Sequence, residues 1–173
     1  MEVDLSSLSD EALMERVQDG DSAAYRELFE RHHPRVYGFL LRKTKDPQRA
    51  ADQFQETFLS VYRARHTWKR DRPFRPWLFT IAANLSRDAA RRAARAPEEP
   101  IKDVHLLPDH PRPDARIHLE EAIAGLPDIL RDAFLLGVVE GFDHREVADQ
   151  LGISPDNARA RISRARAWLR KRL

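Results

Sequence analysis

Apolar residues recur along most of the chain at spacings of three and four, the period of helices that bury one face. The clearest stretch follows Asp46 and Pro47, a strong helix start because proline at the first helical position loses no hydrogen bond. Its predicted buried face is Ala50, Ala51, Phe54, Thr57, Phe58, Val61 and Tyr62. The sequence shows no sustained strand-like alternation, so the pattern predicts an all-α fold.

Other helix signals lie on both sides of this stretch. Ser9 and Asp21 are predicted N-caps of two earlier helices. A later helix is predicted to begin near Pro76 and to carry Trp77, Leu78, Ile81, Ala82 and Leu85 inward. It leaves Asn84, Arg87, Arg91 and Arg92 nearer the solvent. Residues 67–76 are predicted to form the loop before it.

A proline-rich segment divides the chain. Prolines at positions 97, 100, 108, 111 and 113 exclude a long helix or a central strand there. The sequence therefore predicts two small helical domains, 1–95 and 114–173, joined by a linker over 96–113. A chain of 173 residues is long enough for one large domain or two small ones, because domains usually contain roughly 100–200 residues.

The C-terminal part predicts a helix-turn-helix. A short helix ends near Leu126, and Pro127 opens the next one. Asp143 and Glu146 have capping-box spacing, and Val147, Ala148 and Leu151 form the inner face of the helix that they start. Gly152 can end that helix in the left-handed conformation, and Ser154 with Pro155 starts another at once. The inner face of this last helix is Ala158, Ile162, Ala165 and Leu169.

Charge is distributed unevenly, although the net charge is only +2. Residues 1–30 hold nine acidic and two basic side chains, whereas residues 63–95 hold ten basic and two acidic ones. Residues 157–173 hold seven basic side chains and no acidic one. Two separated basic tracts favour two contacts with a polyanion, because Lys and Arg neutralise phosphates and release counterions. The alternative is that each tract is only a solvated helix face.

Composition bears on whether the protein is exported or inserted in a membrane. The sequence is 42% hydrophobic, enough for packed cores, but it lacks an apolar stretch long enough to cross a bilayer. Its acidic start, MEVDLSSLSDE, lacks the basic and apolar segments of a secretory signal. We therefore expect a cytoplasmic protein without membrane insertion. The absence of cysteine excludes disulfides and thiolate metal sites.

The last helix has the composition of a helix that reads DNA. The face opposite its apolar stripe presents Asn157, Ala160, Ser163 and Arg164, with Arg159, Arg161 and Arg166 on the flanks. Asn and Arg can make bidentate contacts to adenine and guanine edges, small residues permit close approach, and flanking arginines reach phosphates. An arginine-rich helix that serves only solubility is the alternative.

The loop 67–76 and the start of the next helix combine rings and positive charge, as expected of a surface that stacks single-stranded bases. The residues are Trp68, Lys69, Arg70, Arg72, Phe74, Arg75 and Trp77. Stacking requires exposed rings, and Trp77 at the start of an amphipathic helix is more often a core residue. Phe74, within the loop, is therefore the better candidate for DNA contact.

No constellation in the sequence predicts an enzyme, a metal site or a cofactor. His32 and His33 are adjacent and point to different helix faces, whereas His105, His110 and His118 straddle the proline-rich segment. Asp71 and Asp88 are isolated carboxylates.

Asp52, Gln55 and Glu56 lie off the apolar face of their helix. A polar cluster of this kind is usually only a solvated helix surface.

Taken together, three strings resemble those of extracytoplasmic-function sigma factors, the smallest class of bacterial sigma subunit. They are ADQFQETFLSVYRA, RPFRPWLFTIAANLSRD and LEEAIAGLPDILRDAFLLGVVEGFDHREVADQLGISPDNARARISRARAWLRK. The resemblance covers nearly the whole chain outside the linker. It implies two helical domains that bind core RNA polymerase and promoter DNA, usually under the control of an anti-sigma factor.

The resemblance also implies roles for particular residues. Asp52, Gln55 and Glu56 match the helix that docks on a coiled-coil of the polymerase largest subunit. The loop 67–76 with Asn84, Arg87 and Arg91 matches the part that opens the minus-ten element and captures an unstacked base. Residues 154–166, including Ser154, match the helix that reads the minus-thirty-five element.

Departures from the family pattern are few. Ala51 and Gln53 stand where relatives usually carry an acidic and an apolar residue, and Asn157 and Ala158 stand where Thr and Val are common. The second pair predicts an unusual promoter preference.

A stand-alone helix-turn-helix regulator is the competing function. For a sigma factor, we expect the free protein to be held inactive by an anti-sigma factor or by its two domains folding together.

Overall fold

The computed structural model describes residues 2–95 and 114–173, and those two ranges contain helices and no strand. The α-helices of these ranges are α1 (Asp10–Gln18), α2 (Ser22–Thr44), α3 (Pro47–Arg63), α4 (Phe74–Arg95), α5 (Asp114–Ala124), α6 (Asp128–Phe134), α7 (His144–Leu151) and α8 (Pro155–Arg170). Short 3₁₀ turns lie at Leu5–Ser7 and Arg65–Thr67, and a π-helical turn at Leu135–Val139 continues α6. The all-α class is confirmed. The predicted linker, 96–113, lies outside the described residues.

The predicted helix starts in the N-terminal part are confirmed. The Ser9 hydroxyl accepts a hydrogen bond from the Ala12 N–H at 3.1 Å. The Asp21 and Asp46 carboxylates each accept from two backbone N–H groups of the first turn of α2 and α3. These caps satisfy donors that a helix leaves unpaired, and they fix where the chain turns.

Helices α1 to α4 enclose the N-terminal core. Phe29 packs edge to face against Phe54 and Phe58 in this core, with ring centroids 5.2 and 5.0 Å apart. The predicted buried face of α3 is confirmed for Ala50, Phe54, Thr57, Phe58 and Val61. Tyr62 was expected inside but is 42% exposed, and that expectation is wrong. Its ring lies under the Arg65 guanidinium at 4.2 Å, a contact available only at the surface.

Helix α4 begins at Phe74, two residues before the predicted start. The Phe74 N–H donates to the Glu11 carboxylate at 3.0 Å, so a side chain from α1 satisfies the first turn. The buried residues of α4 are Phe74, Leu78, Phe79, Ala82, Ala83 and Ser86. Trp77, Ile81 and Leu85, which were expected inward, are only half-buried. The buried face is thus rotated from the predicted one.

Arg131 organises the C-terminal domain from within. It is 4% exposed, and its guanidinium donates to the carbonyl oxygens of Ile123, Ala124 and Leu126. These carbonyls lie at or just beyond the end of α5, where a helix leaves oxygens without partners. The contacts therefore hold the end of α5 against α6. Helix α5 ends at Ala124, close to the predicted end, and Pro127 precedes α6 as expected.

The predicted helix-turn-helix is confirmed as α7 and α8. Asp143 and Glu146 form the capping box, and Gly152 ends α7 with φ +65°, a conformation that costs glycine little. Ala158, Ile162, Ala165 and Leu169 are buried as expected. The π-helical turn approaches α8 closely, since a Cβ added to Gly137 would lie 2.5 Å from Cδ1 of Ile162.

The two domains contact each other through α2 and α4 on one side and α5 to α7 on the other. Phe79 on α4 meets Phe142, just before α7, edge to face at 5.2 Å between ring centroids. Ion pairs also join the domains, and two of them start from the end of α2. Arg42 lies 3.0 Å from Glu120, and the Lys43 ammonium lies 3.0 Å from Asp132.

Candidate nucleic-acid and polymerase interfaces

The DNA-reading surface predicted on α8 faces solvent. Ser154 caps the helix by accepting from the Asn157 N–H at 3.1 Å, and its buried stripe seats the helix on α6 and α7. Six of the predicted residues are exposed, and Ala160 and Arg161 are half-buried. Arg161 donates to the Asn157 side-chain oxygen at 3.1 Å, which fixes the Asn157 amide and directs its NH₂ group outward as a donor.

The arginines of α8 are free to contact phosphate. In the described ranges, no carboxylate forms an ion pair with Arg159, Arg164 or Arg166. Arg164 lies one helical turn after Ala160, on the face opposite the buried stripe, whereas Arg159 and Arg166 lie beside that face. A surface of this kind can place one arginine at base edges and two at the DNA backbone.

The loop before α4 is fastened to α1. The Gln18 amide donates to the carbonyl oxygens of Arg65 and Trp68, both at 2.8 Å. Arg70 in turn donates to the Gln18 side-chain oxygen at 3.1 Å and lies within 3.6 Å of carboxylate oxygens of Glu15 and Asp19. Lys69, Arg70 and Arg72 remain exposed. The loop therefore presents positive charge from a fixed position.

The rings of this region do not form the expected stacking surface. Phe74 was predicted to lie in the loop with an exposed ring, and this prediction is wrong, because its side chain is fully buried. Its ring contacts those of His32 and Trp77 with centroids 5.5 and 6.0 Å apart. Trp68 is 2% exposed, and Trp77 is half-buried. The rings that were candidates for stacking on DNA bases thus pack mainly against the protein itself.

Two predicted DNA-contact arginines of α4 are engaged by the C-terminal domain. Arg75 donates to the Glu140 carbonyl oxygen at 2.9 Å and stacks over the Phe142 ring at 4.3 Å. Arg87 donates to the Gln150 carbonyl oxygen at 3.1 Å and to the Asn84 side-chain oxygen. Asn84 and Arg91 are exposed. In this arrangement the surface of α4 is only partly accessible to DNA.

Glu140 lies where the two domains meet and is 6% exposed. Its carboxylate is 3.5 Å from Arg75 and 3.7 Å from Arg35. Burial raises the pKa of Glu140 because a charged carboxylate loses water, and the positive charges of Arg35, Arg75 and Arg42 oppose this rise without cancelling it. A buried carboxylate among arginines is the main electrostatic feature of the domain contact.

A half-buried acid, Asp10, links two helices of the N-terminal domain. Asp10 contacts the His32 ring nitrogen at 2.9 Å and Arg31 at 3.1 Å, which joins α1 to α2. Burial opposes ionisation of Asp10, but the hydrogen bonds and charges of His32 and Arg31 outweigh it and lower the pKa of this carboxyl. This arrangement explains His32 as a structural residue.

The polar cluster Asp52, Gln55 and Glu56 is exposed on α3. Asp52 accepts from the Gln48 amide at 3.1 Å, and Glu56 pairs with Arg63 at 3.2 Å. The sequence interpretation missed Leu59, whose side chain is 48% exposed on the same side of α3 as this cluster. The exposed Tyr62 lies on that side too. A signal was present, since Leu59 falls outside the apolar stripe of α3 at the spacing that continues Asp52, Gln55 and Glu56. Apolar side chains beside polar ones are typical of a protein interface.

Part of the α3 and α4 surfaces borders a cleft between the domains, with a volume of about 860 Å³. Asp52 and Glu56 of α3 line one wall, Arg91 of α4 and Arg161 of α8 line others, and Asp128 closes the α6 side. Within the described ranges, His, Asp and Glu side chains form no cluster suited to a metal ion, and no helix is both long and apolar enough to cross a bilayer.

Comparison with known proteins identifies both domains. Residues 28–96 match the family described as Sigma-70 region 2, and residues 116–169 match the family described as Sigma-70, region 4. The chain is 41% identical over 165 residues to the RNA polymerase sigma factor CarQ of Myxococcus xanthus, covering 92% of this chain and 95% of CarQ. It is 29% identical over 166 residues to the ECF RNA polymerase sigma factor SigM of Mycobacterium tuberculosis, covering 95% of this chain and 85% of SigM.

The fold has a relative among solved structures. CnrH, solved in complex with the cytosolic domain of CnrY, superposes with a TM-score of 0.70 at 28% identity, covering 94% of this chain and 95% of CnrH. The two family matches, the order of the domains and these full-length similarities agree. The chain belongs to the extracytoplasmic-function family of RNA polymerase sigma factors.

Proposed function

We propose that this sigma factor divides promoter recognition between its two domains, 1–95 and 114–173. The first binds core polymerase and opens the minus-ten element, and the second reads the minus-thirty-five element. The observation that carries this proposal is α8, the second helix of a capped helix-turn-helix with Asn157, Ser163 and Arg164 exposed opposite its buried stripe. A helix presented in this way fits the major groove.

For the minus-thirty-five element, the face of α8 supplies both kinds of contact. Asn157, Ala160, Ser163 and Arg164 reach base edges, and Ser154, Arg159, Arg161 and Arg166 reach phosphates or sugars. Asn157 replaces the Thr common in the family, and its outward NH₂ group can donate to an acceptor on a base. The identity of this residue supports a distinct promoter preference.

For the minus-ten element, the exposed basic residues of the loop and of α4 contact the strand. They are Lys69, Arg70, Arg72, Asn84 and Arg91. Arg75 and Arg87 join them when the C-terminal domain moves away, and the half-buried Trp77 offers a ring edge beside them. Phe74 is removed from this set because its side chain supports the core.

For core polymerase, the docking surface is the exposed side of α3. Asp52, Gln55 and Glu56 provide the polar contacts, and Leu59 with Tyr62 extends the surface with apolar area. Because polar rims around apolar contacts are common at protein interfaces, the two sets reinforce each other.

The protein acts as a transcription factor, and polymerase supplies the chemistry, so we propose no catalytic site in this chain. Its site of action is where polymerase and chromosome lie, the cytoplasm. We also propose an anti-sigma partner. CnrH, with the same two-domain fold, was solved with the cytosolic domain of CnrY bound, and the cleft beside α3, α4 and α8 offers this chain a comparable place for a partner.

The test combines polymerase binding with transcription. Gln55→Ala with Glu56→Ala should abolish co-purification with core polymerase and eliminate run-off transcripts from the promoter of the protein's own gene, a common target in the family. The matched control is Arg26→Ala with Glu30→Ala, an exposed pair on α2 that should leave both unchanged. Normal polymerase binding by a folded Gln55 and Glu56 double variant would overturn the docking assignment.

The same assay separates the competing function. A stand-alone helix-turn-helix regulator binds duplex operator DNA tightly by itself and needs no polymerase for specificity. A sigma factor binds promoter DNA weakly until polymerase holds it. The family matches across both domains favour the sigma factor. Tight, specific duplex binding by the free chain with no run-off transcript would favour the regulator instead.

A further inference from the structure

Helix α1 contacts the loop that carries part of the proposed minus-ten surface. This helix precedes residues 28–96, the range that matches Sigma-70 region 2, and the proposed DNA contacts include none of its residues. Its last residue, Gln18, nevertheless forms hydrogen bonds to the backbone of the loop between α3 and α4 at two places. A residue outside the matched range therefore belongs to the structure of this surface.

The Gln18 side chain uses both ends of its amide. Its NH₂ group donates to the carbonyl oxygens of Arg65 and Trp68, each at 2.8 Å. Its oxygen accepts from the Arg70 guanidinium at 3.1 Å. A primary amide has two N–H donors, so each carbonyl oxygen receives one of them. One side chain thus fixes the separation of two carbonyl oxygens that lie three residues apart in the sequence.

The loop depends on side chains to satisfy its backbone groups. After the 3₁₀ turn Arg65–Thr67, its backbone is held to itself by a hydrogen bond from the Arg72 N–H to the Lys69 carbonyl at 2.9 Å. Backbone groups that no regular helix or sheet pairs need other partners. Gln18 supplies such a partner to two carbonyl oxygens, beside the buried ring of Trp68, and so restricts the path of the chain into the exposed basic residues.

Helix α1 is itself fixed in the domain, as a positioning role requires. Its apolar side chains that are fully buried in the core are Leu13, Met14 and Val17. Arg31 of α2 donates to the Leu8 carbonyl at 2.8 Å and to the Asp10 carboxylate at 3.1 Å, so the start of α1 is fastened to α2. Gln18, at the other end of α1, therefore ties the loop to the core.

We infer that Gln18 is a positioning residue of minus-ten recognition, whose amide N–H groups hold the loop in the shape that presents Lys69, Arg70 and Arg72 to the strand. The inference rests on the proposed role of that loop in DNA binding. It assigns the effect to the two donors, because an N–H to carbonyl hydrogen bond has a defined length and direction. The carboxylates near Arg70 are accessible to solvent and act mainly through screened charge.

Three substitutions separate the donors of Gln18 from its length and from its acceptor. Gln18→Met keeps a side chain of similar length and removes donors and acceptor together. Gln18→Glu keeps an acceptor for Arg70 and removes the donors, whereas Gln18→Lys keeps donors for the two carbonyls and removes the acceptor. We expect Gln18→Lys to behave like the wild type and the other two to behave alike. Gln18 is half-buried at the end of its helix, so these changes leave no cavity in the core.

Limited digestion of the full-length chain with trypsin reports the state of the loop without DNA. Lys69 and Arg70 are exposed, and trypsin cuts after such residues when the local backbone leaves its native path. Gln18→Met and Gln18→Glu should speed cutting there about five- to tenfold, the net effect of losing about one hydrogen bond. Gln18→Lys should resemble the wild type. Cutting after Arg26, an exposed residue within α2, is the internal control and should be unchanged.

Binding of single strands reports recognition. One labelled 15-nucleotide strand carries the minus-ten sequence of the promoter of the protein's own gene, and a second has the same composition in scrambled order. The ratio of the two affinities is the readout, because a change in protein charge affects both strands alike. This ratio should fall about threefold or more in Gln18→Met and Gln18→Glu and should be kept in Gln18→Lys. Co-purification with core polymerase should be unchanged, because the exposed side of α3 is intact.

Faster loop cutting and a lower ratio in both donor-free variants, with wild-type values in Gln18→Lys, would support the inference. Unchanged cutting or an unchanged ratio in Gln18→Met would overturn it. An equal fall of the ratio in Gln18→Lys would also overturn it, since the acceptor for Arg70 would then matter. Equal acceleration after Arg26 would reduce Gln18 to a residue of general stability. A wild type that binds both strands equally would instead contradict the proposed minus-ten function of the loop, and the inference with it.

Discussion

The two proposed DNA-binding surfaces of this sigma factor differ in accessibility. On α8, Arg159, Arg164 and Arg166 face solvent without acidic partners in the described ranges. On α4, Arg75 and Arg87 are engaged by the other domain. Helix α8 uses one face for packing and leaves the opposite face open, whereas α4 is covered on two sides. A DNA-binding surface on a helix at the edge of the fold therefore stays accessible to solvent. The accessibility of a surface on a helix between two domains depends on how those domains are arranged.

The largest expected effect concerns Phe74, the residue whose predicted and observed positions differ most. Phe74→Ala should destabilise the N-terminal domain by about 3–5 kcal/mol, because it removes a fully buried ring. Urea denaturation of the full-length chain measures the change. Lys69→Ala, at an exposed position five residues earlier, should change stability by no more than about 0.5 kcal/mol. Wild-type stability with weakened single-strand binding in Phe74→Ala would return this ring to the DNA surface.

Substitutions on α8 test whether its open face reads bases. Arg164→Ala should weaken holoenzyme binding to the minus-thirty-five element by about 1–3 kcal/mol and relax preference at one base pair, because it removes a contact to a base edge. Arg159→Ala should weaken all sequences alike and reduce the salt dependence. Competition binding against a set of single base-pair variants measures both. Equal losses on specific and random DNA for the two variants would contradict the orientation assigned to α8.

On α4, Arg87 and Arg91 provide a matched pair with different accessibility. In the closed chain, Arg91→Ala should weaken single-strand binding about two- to threefold, whereas Arg87→Ala should change it less, because Arg87 is held by the Gln150 carbonyl. In a Glu140→Arg background, in which a further positive charge beside Arg35 and Arg75 disfavours the domain contact, the two substitutions should cost the same. Fluorescence anisotropy with a labelled 15-nucleotide single strand of random sequence measures these differences. Equal losses in the wild-type background would show that Arg87 is as available as Arg91.

The contrast between α8 and α4 also explains what the sequence could predict. For α8, local signals suffice: Ser154 and Pro155 start the helix, Gly152 ends the one before it, and one apolar stripe defines the buried side. Each signal lies within a few residues of the feature that it determines. The exposed reading face follows from helical geometry alone.

For α4, the decisive contacts come from distant parts of the chain. Glu11 accepts from the Phe74 N–H and moves the helix start two residues back, and it lies 63 residues away in sequence. Phe79 is buried because Phe142 covers it. Periodicity identifies an apolar face but not the presence of a second partner, so Phe79, Ala83 and Ser86 were not predicted to be buried. Leu59, by contrast, had a local signal, because it falls outside the apolar stripe of α3, and it is exposed.

The smallest expected effect is a pH dependence of domain closure through Glu140. Burial raises the pKa of Glu140, with Arg35, Arg75 and Arg42 in partial opposition, so the closed state binds a proton more readily than the open state. The contribution of this group to closure is therefore largest at low pH and is lost as pH rises through its raised pKa.

Comparison of the wild type with Glu140→Gln isolates the Glu140 contribution, since only the wild type can titrate there. As the pH is lowered from neutral, fluorescence energy transfer between dyes at Ser22→Cys and Lys171→Cys, one in each domain, should rise in the wild type relative to Glu140→Gln. The two proteins differ only at this side chain, so the difference between their titration curves reports the Glu140 carboxyl alone. Parallel titration curves for the two proteins would show that Glu140 has the same proton affinity in the open and closed states. Its burial would then belong to the C-terminal domain itself, and the contact of α4 with that domain would rest on Phe79, Phe142 and the neutral hydrogen bonds of Arg75 and Arg87 to backbone oxygens.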